Sequence, residues 1–273
     1  VIILLNCNLQ KYTTIKLADF GDIAICKTEQ GLIELVTYLK KESLNYHLIG
    51  WGANQVIHKT KNTLFIKLEF LFDKKKISPD KKSFELPAST SLNQLTSLAI
   101  KYGFSGWENF TGIPGSLGGA ICMNAGTSLG EICELISSIR ILRSNLLIEE
   151  YKVEASSFRY RNNNFLKPGD IVLSAKVFYH EIDPNLGIKI NEYLEYRKKT
   201  QPLTTRNCGS VFKNLGAFKA GVIIDRIGLK SFGTENIAVS KKHGNFIENN
   251  GNGNSEEFIE VINGLKEQIE RFS

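Results

Sequence analysis

The residues best suited to chemistry lie in a glycine-rich stretch from Gly112 to Glu131. It reads GIPGSLGGAICMNAGTSLGE and holds six of the 23 glycines of this 273-residue chain. Glycine lets a backbone approach a ligand closely because it has no Cβ, and Pro114 stiffens the loop. Backbone N–H groups in such a loop can form a concave anion site. The stretch favours contact with a pyrophosphate or a flat ring, with a purely structural glycine turn as the alternative.

Two common nucleotide-binding motifs are excluded in this stretch. A Walker A loop ends in Gly-Lys-Ser/Thr, whereas this loop ends in Gly118-Gly119-Ala120. The GxGxxG spacing that opens a Rossmann helix is also missing. A second glycine turn, from Gly50 to Asn54, directly follows the strand predicted at His47-Leu48-Ile49. Because α/β folds tend to place phosphates at the ends of strands, this turn is a second candidate anion site.

Two further segments carry side chains that could act on a substrate. In Phe158–Phe165 (FRYRNNNF), strand-like alternation would put Tyr160 and Arg161 on opposite faces. The planar guanidinium of Arg161 can bind both oxygens of a carboxylate, with a surface ion pair as the alternative. In Cys208–Asn214 (CGSVFKN), no His-Asp pattern accompanies Ser210, which argues against a hydrolase triad. A serine with only a turn-forming role is the alternative there.

The elements that must position these residues form a mixed α+β pattern. Short apolar runs predict strands at Ile23–Ile25, His47–Ile49, Leu64–Leu68 and Ile136–Leu142, with a β-like run at Val56–His58. Helical spacing and capping residues predict helices after Thr28, from about Leu92 to Gly103, at Tyr193–Gln201, at Ala220–Gly228 and after Asn254 or Ser255. The charged connector from Lys74 to Asp80 is the best candidate for a domain boundary. We expect three domains, at residues 1–73, 74–200 and 201–273.

Composition narrows the class of protein. A hydrophobic content of 42% with 23% charged residues is ordinary for a globular protein. The net charge of +6 suits an anionic small molecule, with solvated surface lysines as the alternative for most of the basic residues. The sequence has no basic stripe interleaved with aromatic residues, so it predicts no nucleic-acid partner. The five cysteines lack C-x-x-C spacing and predict reduced thiols in the cytoplasm, and the scattered histidines predict no metal site. No apolar run is long enough to span a membrane, and we expect a cytoplasmic monomer.

Several of these segments together resemble one enzyme family. The words GIPGSLGGA (Gly112–Ala120) and MNAG (Met123–Gly126) resemble the flavin loop of the UDP-N-acetylenolpyruvoylglucosamine reductases, the MurB family. The turn Gly50–Asn54 and the segments Phe158–Phe165 and Cys208–Asn214 are similar to further motifs of that family, in the same order. The resemblance runs from Tyr12 to Phe272. It implies an FAD-binding type-4, PCMH-like fold of two subdomains, followed by a C-terminal α+β domain that binds substrate.

The resemblance also implies roles for individual residues. Arg161 would hold the enolpyruvyl carboxylate of the substrate, and Ser210 would donate a proton. Residues implied in FAD binding are Gly50, Gly52, Ala53, Asn54, Gly112, Ile113, Pro114, Gly115, Ser116, Gly118, Gly119, Ala120, Asn124 and Gly126. Residues implied in substrate binding are Tyr160, Arg197, Lys213, Asn214, His243 and Asn245.

The implied reaction belongs to peptidoglycan precursor synthesis. NADPH would reduce FAD, and the reduced flavin would reduce UDP-N-acetylglucosamine enolpyruvate to UDP-N-acetylmuramate. In the family a further strand with a catalytic Glu follows the position of Ser273, so the resemblance predicts that the sequence is cut at its ends. The alternative is a non-catalytic or impaired FAD-binding relative that lacks this Glu. An oxidase with covalent flavin is disfavoured, because Cys122 lies in an apolar context.

Overall fold

The computed structural model describes residues 1–58 and 60–272 as an alternation of helices and strands. The helices are α1 (Glu29–Lys41), α2 (Leu92–Tyr102), α3 (Leu117–Cys122), α4 (Leu186–Thr200), α5 (Ala220–Arg226) and α6 (Ser255–Arg271). The strands are β1 (Ile2–Asn8), β2 (Phe20–Cys26), β3 (Asn45–Ile49), β4 (Thr63–Leu68), β5 (Ser83–Pro87), β6 (Gly126–Thr127), β7 (Gly130–Glu131), β8 (Ile136–Leu142), β9 (Ile148–Lys152), β10 (Phe158–Arg159), β11 (Asn162–Asn163), β12 (Ile171–Phe178), β13 (Asn207–Ser210), β14 (Ile237–Val239) and β15 (Phe246–Asn249).

The strands form three larger sheets and two short hairpins. The strand orders are β1-β2-β4-β3, β5-β12-β8-β9 and β13-β15-β14, with β6-β7 and β10-β11 as the two-stranded pairs. The second and third sheets are antiparallel throughout. This mixture of helices and antiparallel sheets agrees with the α+β class expected from the sequence.

The described residues divide into two compact units. Unit 1 contains Val1–Ile3, Ala24–Gly50 and Phe65–Leu194, and unit 2 contains the described residues of Leu4–Ile23, Trp51–Leu64 and Glu195–Ser273. The three-domain division at residues 73 and 200 stays a prediction.

Unit 1 is built on the sheet β5-β12-β8-β9 and helix α2. The buried face of α2 carries Leu92, Leu95 and Leu98, the spacing that places side chains on one side of a helix. Gly103 ends this helix with φ of 70°, a conformation that glycine adopts without a Cβ penalty. Trp107 is fully buried in the same core, and its Nε1–H donates to the Phe178 carbonyl at 2.9 Å. The core therefore fixes the segment that leads into the glycine-rich stretch.

Unit 2 is built on the sheet β13-β15-β14 and helix α6. The Asn254 side chain caps α6 by accepting a hydrogen bond from the Glu257 N–H at 2.9 Å. Phe258, Val261 and Leu265 form the buried face of this helix. Because β13 carries Ser210, the same core supports the serine predicted to donate a proton.

Several local predictions are confirmed. Thr28 caps α1 by accepting a hydrogen bond from the Gly31 N–H at 3.1 Å, and α2 ends at Gly103 as expected. Helix α6 begins directly after Asn254, one of the two predicted caps.

Within residues 1–58 and 60–272, no helix has the length and apolar character needed to cross a bilayer. In the same part of the chain, no group of three or more His, Cys, Asp or Glu residues has the arrangement of a metal site.

Other local predictions are wrong. Val56–His58 forms no strand, and α4 begins at Leu186 rather than Tyr193. The segment Phe158–Phe165 is not a continuous strand, because Tyr160 and Arg161 form the turn between β10 and β11. Arg161 has φ of 52°, so the two side chains do not alternate across a sheet as the sequence pattern suggested.

Candidate active site

The glycine-rich stretch lies in unit 1 and contains the short helix α3. The Ser116 hydroxyl caps this helix by accepting a hydrogen bond from the Gly119 N–H at 3.4 Å. Two backbone bonds hold the start of α3 against the segment after β5: Leu117 N–H to Thr90 O at 2.9 Å and Gly118 N–H to Ala88 O at 2.8 Å. The stretch is therefore fixed by the sheet of unit 1 and is not a free loop.

The glycines of this stretch differ in whether packing requires the absence of a side chain. A Cβ at Gly118 would lie 2.8 Å from the Ala88 Cβ, so close packing excludes a side chain there. A Cβ at Gly119 would meet only the Ser116 hydroxyl, at 3.4 Å, and one at Gly115 would meet nothing closer than 3.8 Å. Packing therefore does not require glycine at these two positions, and their backbone is not covered by a side chain of their own. A Cβ added at Gly50, in the same unit, would lie 2.8 Å from the Ser116 hydroxyl.

Three buried hydroxyls flank the stretch without a hydrogen-bond partner among the described residues. They belong to Thr90 and Ser91, which adjoin the start of α3, and to Thr111, which precedes Gly112. An unsatisfied buried hydroxyl costs roughly 1–3 kcal/mol, and native structures contain few of them. Bare backbone together with unsatisfied hydroxyls fits a large cofactor with many polar atoms, such as the FAD that the sequence resemblance implies.

Arg161 is bound to the far end of the glycine-rich stretch. Its Nη1 donates to the Asn124 carbonyl at 2.9 Å, and its Nη2 donates to the Gly126 carbonyl at 2.6 Å. Nη1 also lies 3.3 Å from Oε1 of Glu131, whose Oε2 accepts from the Asn124 amide at 2.7 Å. The guanidinium lies 4.9 Å from the centre of the Tyr160 ring. The structure thus joins Arg161 to two residues predicted to contact the flavin.

The backbone at Arg161 explains how the side chain reaches this network. A left-handed conformation costs a non-glycine residue about 1–2 kcal/mol, and the turn between β10 and β11 holds Arg161 in it. Charge-assisted hydrogen bonds to several oxygens offset such a cost. Strain of this kind concentrates at functional sites. The result is a fixed positive charge beside the glycine-rich stretch, of the type that can hold a carboxylate.

Ser210 and the Gly52–Asn54 part of the second glycine turn lie in unit 2. In the sheet, Asn207 of β13 pairs with Glu248 of β15, and Ser210 pairs with Phe246. Two residues of β13, Cys208 and Gly209, therefore lie opposite a single residue of β15, which is a β-bulge just before Ser210. The Asn54 amide donates to the carbonyls of Cys208 and Ser210, at 2.7 and 3.0 Å. Gly209 has φ of 73°. The Ser210 side chain is exposed, and its strand is bonded to the turn that contains Gly52, Ala53 and Asn54.

Asn245 and His243 support the segment that follows β13. The Asn245 side-chain amide accepts a hydrogen bond from the Phe212 N–H and donates one to the Phe212 carbonyl, each at 2.8 Å. The backbone N–H of Asn245 donates to Nδ1 of His243 at 3.1 Å. Burial lowers the pKa of the His243 imidazole below its ordinary value, so the ring is neutral at pH 7. Their predicted contacts with substrate stay predictions.

The remaining predicted substrate residues lie in more varied settings. Arg197 is buried, and its Nε and Nη2 donate to the Gln201 side-chain oxygen at 2.8 and 2.6 Å. Asn214 accepts a hydrogen bond from the Ala220 N–H at 3.0 Å, and Lys213 is exposed beside it. Sequence reasoning missed Glu131 as the ion-pair partner of Arg161. Its carboxylate at the end of the glycine-rich stretch was the available signal.

The chain matches two family descriptions along its length. Residues 22–145 match the family described as "FAD binding domain", and residues 201–273 match "UDP-N-acetylenolpyruvoylglucosamine reductase, C-terminal domain". The first match covers the whole glycine-rich stretch, and the second covers Ser210. These matches agree with the FAD-binding type-4 fold and the C-terminal domain expected from the sequence.

Whole-chain comparisons give the same result. The chain is 31% identical to the UDP-N-acetylenolpyruvoylglucosamine reductase of Syntrophus aciditrophicus, over 96% of this chain and 85% of that protein. It is 30% identical to the reductase of the same name from Prochlorococcus marinus, over 96% of this chain and 90% of that protein. The crystal structure of the reductase (MurB) from Thermus caldophilus aligns with a TM-score of 0.82 at 27% identity, over 97% of this chain and 94% of that one. This chain belongs to the UDP-N-acetylenolpyruvoylglucosamine reductase family.

Proposed function

We propose that this flavin-dependent oxidoreductase reduces UDP-N-acetylglucosamine enolpyruvate to UDP-N-acetylmuramate, with NADPH as the reductant, in peptidoglycan precursor synthesis. The observation that carries the proposal is the bonding of Arg161 to Asn124 and Gly126. It joins the side chain predicted to hold the carboxylate to the stretch predicted to contact the flavin. The family matches support the cofactor and the reaction class.

FAD, when bound, carries the hydride between NADPH and the substrate, because side chains alone cannot perform this redox chemistry. The glycine-rich stretch would receive it at the bare backbone of Gly115 and Gly119. The turn from Gly52 to Asn54 would receive its pyrophosphate. The first assignment rests on the sequence motif and on the absence of side chains at Gly115 and Gly119, and the second rests on the sequence motif.

Arg161 would hold the carboxylate of the enolpyruvyl group. Negative charge develops toward that carboxylate when the neighbouring methylene carbon accepts a hydride, and a fixed guanidinium stabilises it. Two backbone carbonyls and Glu131 hold the guanidinium, so little reorganisation would be needed when charge develops. Arg161 would therefore contribute both orientation and electrostatic stabilisation.

Ser210 would supply the proton to the carbon next to the carboxylate. Its side chain is exposed on β13, as a proton donor to a bound substrate must be. Lys213 would add positive charge, which favours loss of a hydroxyl proton. Arg197, Asn214, His243 and Asn245 would complete the substrate pocket, with Arg197 near the diphosphate. These roles follow from the matching motif positions.

A two-step anaerobic flavin titration of the flavin-loaded protein tests the proposal. NADPH should bleach the flavin spectrum, and the enolpyruvyl sugar nucleotide should restore it. In Ser210→Ala, the first step should keep its rate, whereas the second should slow by roughly 10²- to 10⁴-fold, the usual contribution of a general acid. Ser97→Ala, which alters an exposed serine of α2, is the matched control and should behave as the parent protein.

Three results would count against parts of the proposal. Equal slowing of both steps in Ser210→Ala would exclude a role confined to proton donation. Bleaching without return in the parent protein would favour the alternative of an impaired or non-catalytic FAD-binding relative. A protein that takes up no flavin would contradict the reading of the glycine-rich stretch.

A further inference from the structure

We propose that Asn54 is a positioning residue for Ser210, and that through it the predicted cofactor turn sets the orientation of the predicted proton donor. This inference rests on the proposed function for its catalytic meaning. Its geometric basis is independent of that function. The cofactor prediction concerned the backbone of the turn, whereas this inference concerns the Asn54 side chain.

The first observation is that β13 needs an external partner for its backbone. It is one of the two edge strands of the sheet β13-β15-β14. An edge strand has one row of N–H and C=O groups without a ladder partner, and the β-bulge at Cys208 and Gly209 disrupts the pairing further. The carbonyls of Cys208 and Ser210, on either side of Gly209, therefore need donors from outside the sheet.

The second observation is that one side chain supplies both donors. The Nδ2 group of Asn54 has two hydrogens and lies 2.7 Å from the Cys208 carbonyl and 3.0 Å from the Ser210 carbonyl. An aspartate of the same shape would present an acceptor to both carbonyls, and an alanine would reach neither. The asparagine amide thus substitutes for the missing strand at this point.

The third observation is that both ends of this arrangement are fixed. Behind Asn54, the Gly52 carbonyl accepts hydrogen bonds from the Thr14 N–H at 3.1 Å and the Thr14 hydroxyl at 3.3 Å. Beyond Ser210, the Asn245 amide holds the N–H and the carbonyl of Phe212, each at 2.8 Å. Ser210 lies between these two asparagine contacts. Displacement of the turn at Asn54 would therefore move the Ser210 backbone relative to the anchored Phe212.

The variants Asn54→Asp and Asn54→Ala test the inference. Because Asn54 is exposed, both proteins should fold. The matched control is Ser255→Ala, which removes hydrogen bonds of the Ser255 hydroxyl to His58 and Asp19. It loosens the segment that follows the same turn and leaves β13 untouched. A general loosening would affect all three variants, whereas a specific effect on Ser210 would be confined to the Asn54 variants.

The catalytic readout is the split between the two flavin half-reactions. Loss of two neutral hydrogen bonds should slow substrate-driven reoxidation of the flavin-loaded variants by about tenfold or more, and by a larger factor than NADPH-driven reduction. The solvent deuterium isotope effect on reoxidation should rise, because proton donation becomes more rate-limiting. Ser255→Ala should change neither quantity. A merely structural role of Asn54 would leave the isotope effect unchanged.

Hydrogen exchange provides a readout that needs no turnover. In flavin-free protein, the backbone amides of residues 207–213 should exchange faster in both Asn54 variants than in the parent protein or Ser255→Ala. Unchanged exchange there would overturn the inference, as would equal slowing of both half-reactions. If the parent protein is not reoxidised by the substrate, the proposed function fails, whereas the exchange result still decides whether Asn54 holds β13.

Discussion

Replacing Gly52 by alanine should displace the predicted cofactor turn from the chain segment on which it packs. Gly52 is buried and has φ of 60°, a region that side-chain-bearing residues rarely adopt. A Cβ at this position would lie 2.6 Å from the Thr13 Cα and closer still to the Tyr12 carbonyl oxygen. Both atoms belong to the backbone, so no side-chain rotation can relieve the contact.

The expected cost has two parts. The left-handed conformation costs alanine about 1–2 kcal/mol. The forced overlap with the backbone adds about 1–3 kcal/mol, the usual range for overpacking. Gly228→Ala is the matched control, because Gly228 has φ of 77° in the same unit and its Cβ would have no neighbour within 4 Å. Only the first cost applies there, so the difference between the two variants measures the overlap.

Urea unfolding of the flavin-free proteins, followed by flavin titration, measures both consequences. We expect Gly52→Ala to lose more stability than Gly228→Ala, by about 1–3 kcal/mol, and to bind FAD more weakly than either the control or the parent protein. Gly228→Ala should retain the FAD affinity of the parent protein. Equal losses of stability in the two variants, with unchanged FAD affinity, would refute the close packing of Gly52 and its place in the cofactor turn.

Two further predictions concern charged groups of unit 1. Arg161→Lys should lower kcat/KM by roughly 10- to 100-fold, because an ammonium group cannot reproduce the forked bonds to Asn124 and Gly126. An unchanged kcat/KM in steady-state kinetics would contradict this prediction. Burial raises the pKa of the Asp170 carboxyl, but two backbone N–H groups and Arg143 outweigh it, so the pKa lies below its ordinary value. Its contribution to stability is therefore complete above the unfolded pKa of about 3.9 and lost as pH falls through the folded pKa. Asp170→Asn should be less stable than the parent protein at pH 7 and should lose less stability on acidification. If the urea unfolding midpoints of the two proteins fell by the same amount between pH 7 and pH 3, this prediction would be wrong.

Local signals in the sequence were sufficient where a single element determines its own bounds. Helix α6 combines a capping residue at Asn254 with an apolar stripe at Phe258, Val261 and Leu265, so propensity and burial agree. Helix α2 ends at Gly103 for a similarly local reason. Each of these features lies within one or two turns of the chain, which is the range that pattern reasoning covers.

The errors arise where tertiary contacts override the local pattern. The residues of Phe158–Phe165 alternate as in a strand, yet Arg161 occupies a left-handed turn because its guanidinium bonds Asn124, Gly126 and Glu131. Asn124 is 37 residues away, and no local signal encodes that distance. The run of asparagines after Arg161 was the one available hint of a turn, since asparagine favours turns.

The predicted site residues are joined in pairs that their positions in the sequence do not suggest. In unit 1 the end of the glycine-rich stretch is bonded to Arg161, and in unit 2 the turn at Asn54 is bonded to Ser210 across 156 residues. In each pair, a segment predicted to bind cofactor contacts a residue predicted to act on substrate. Hydride transfer and protonation require atomic precision between cofactor and substrate. Direct bonds between the two kinds of segment provide such precision within each unit, and a motif read alone cannot reveal them.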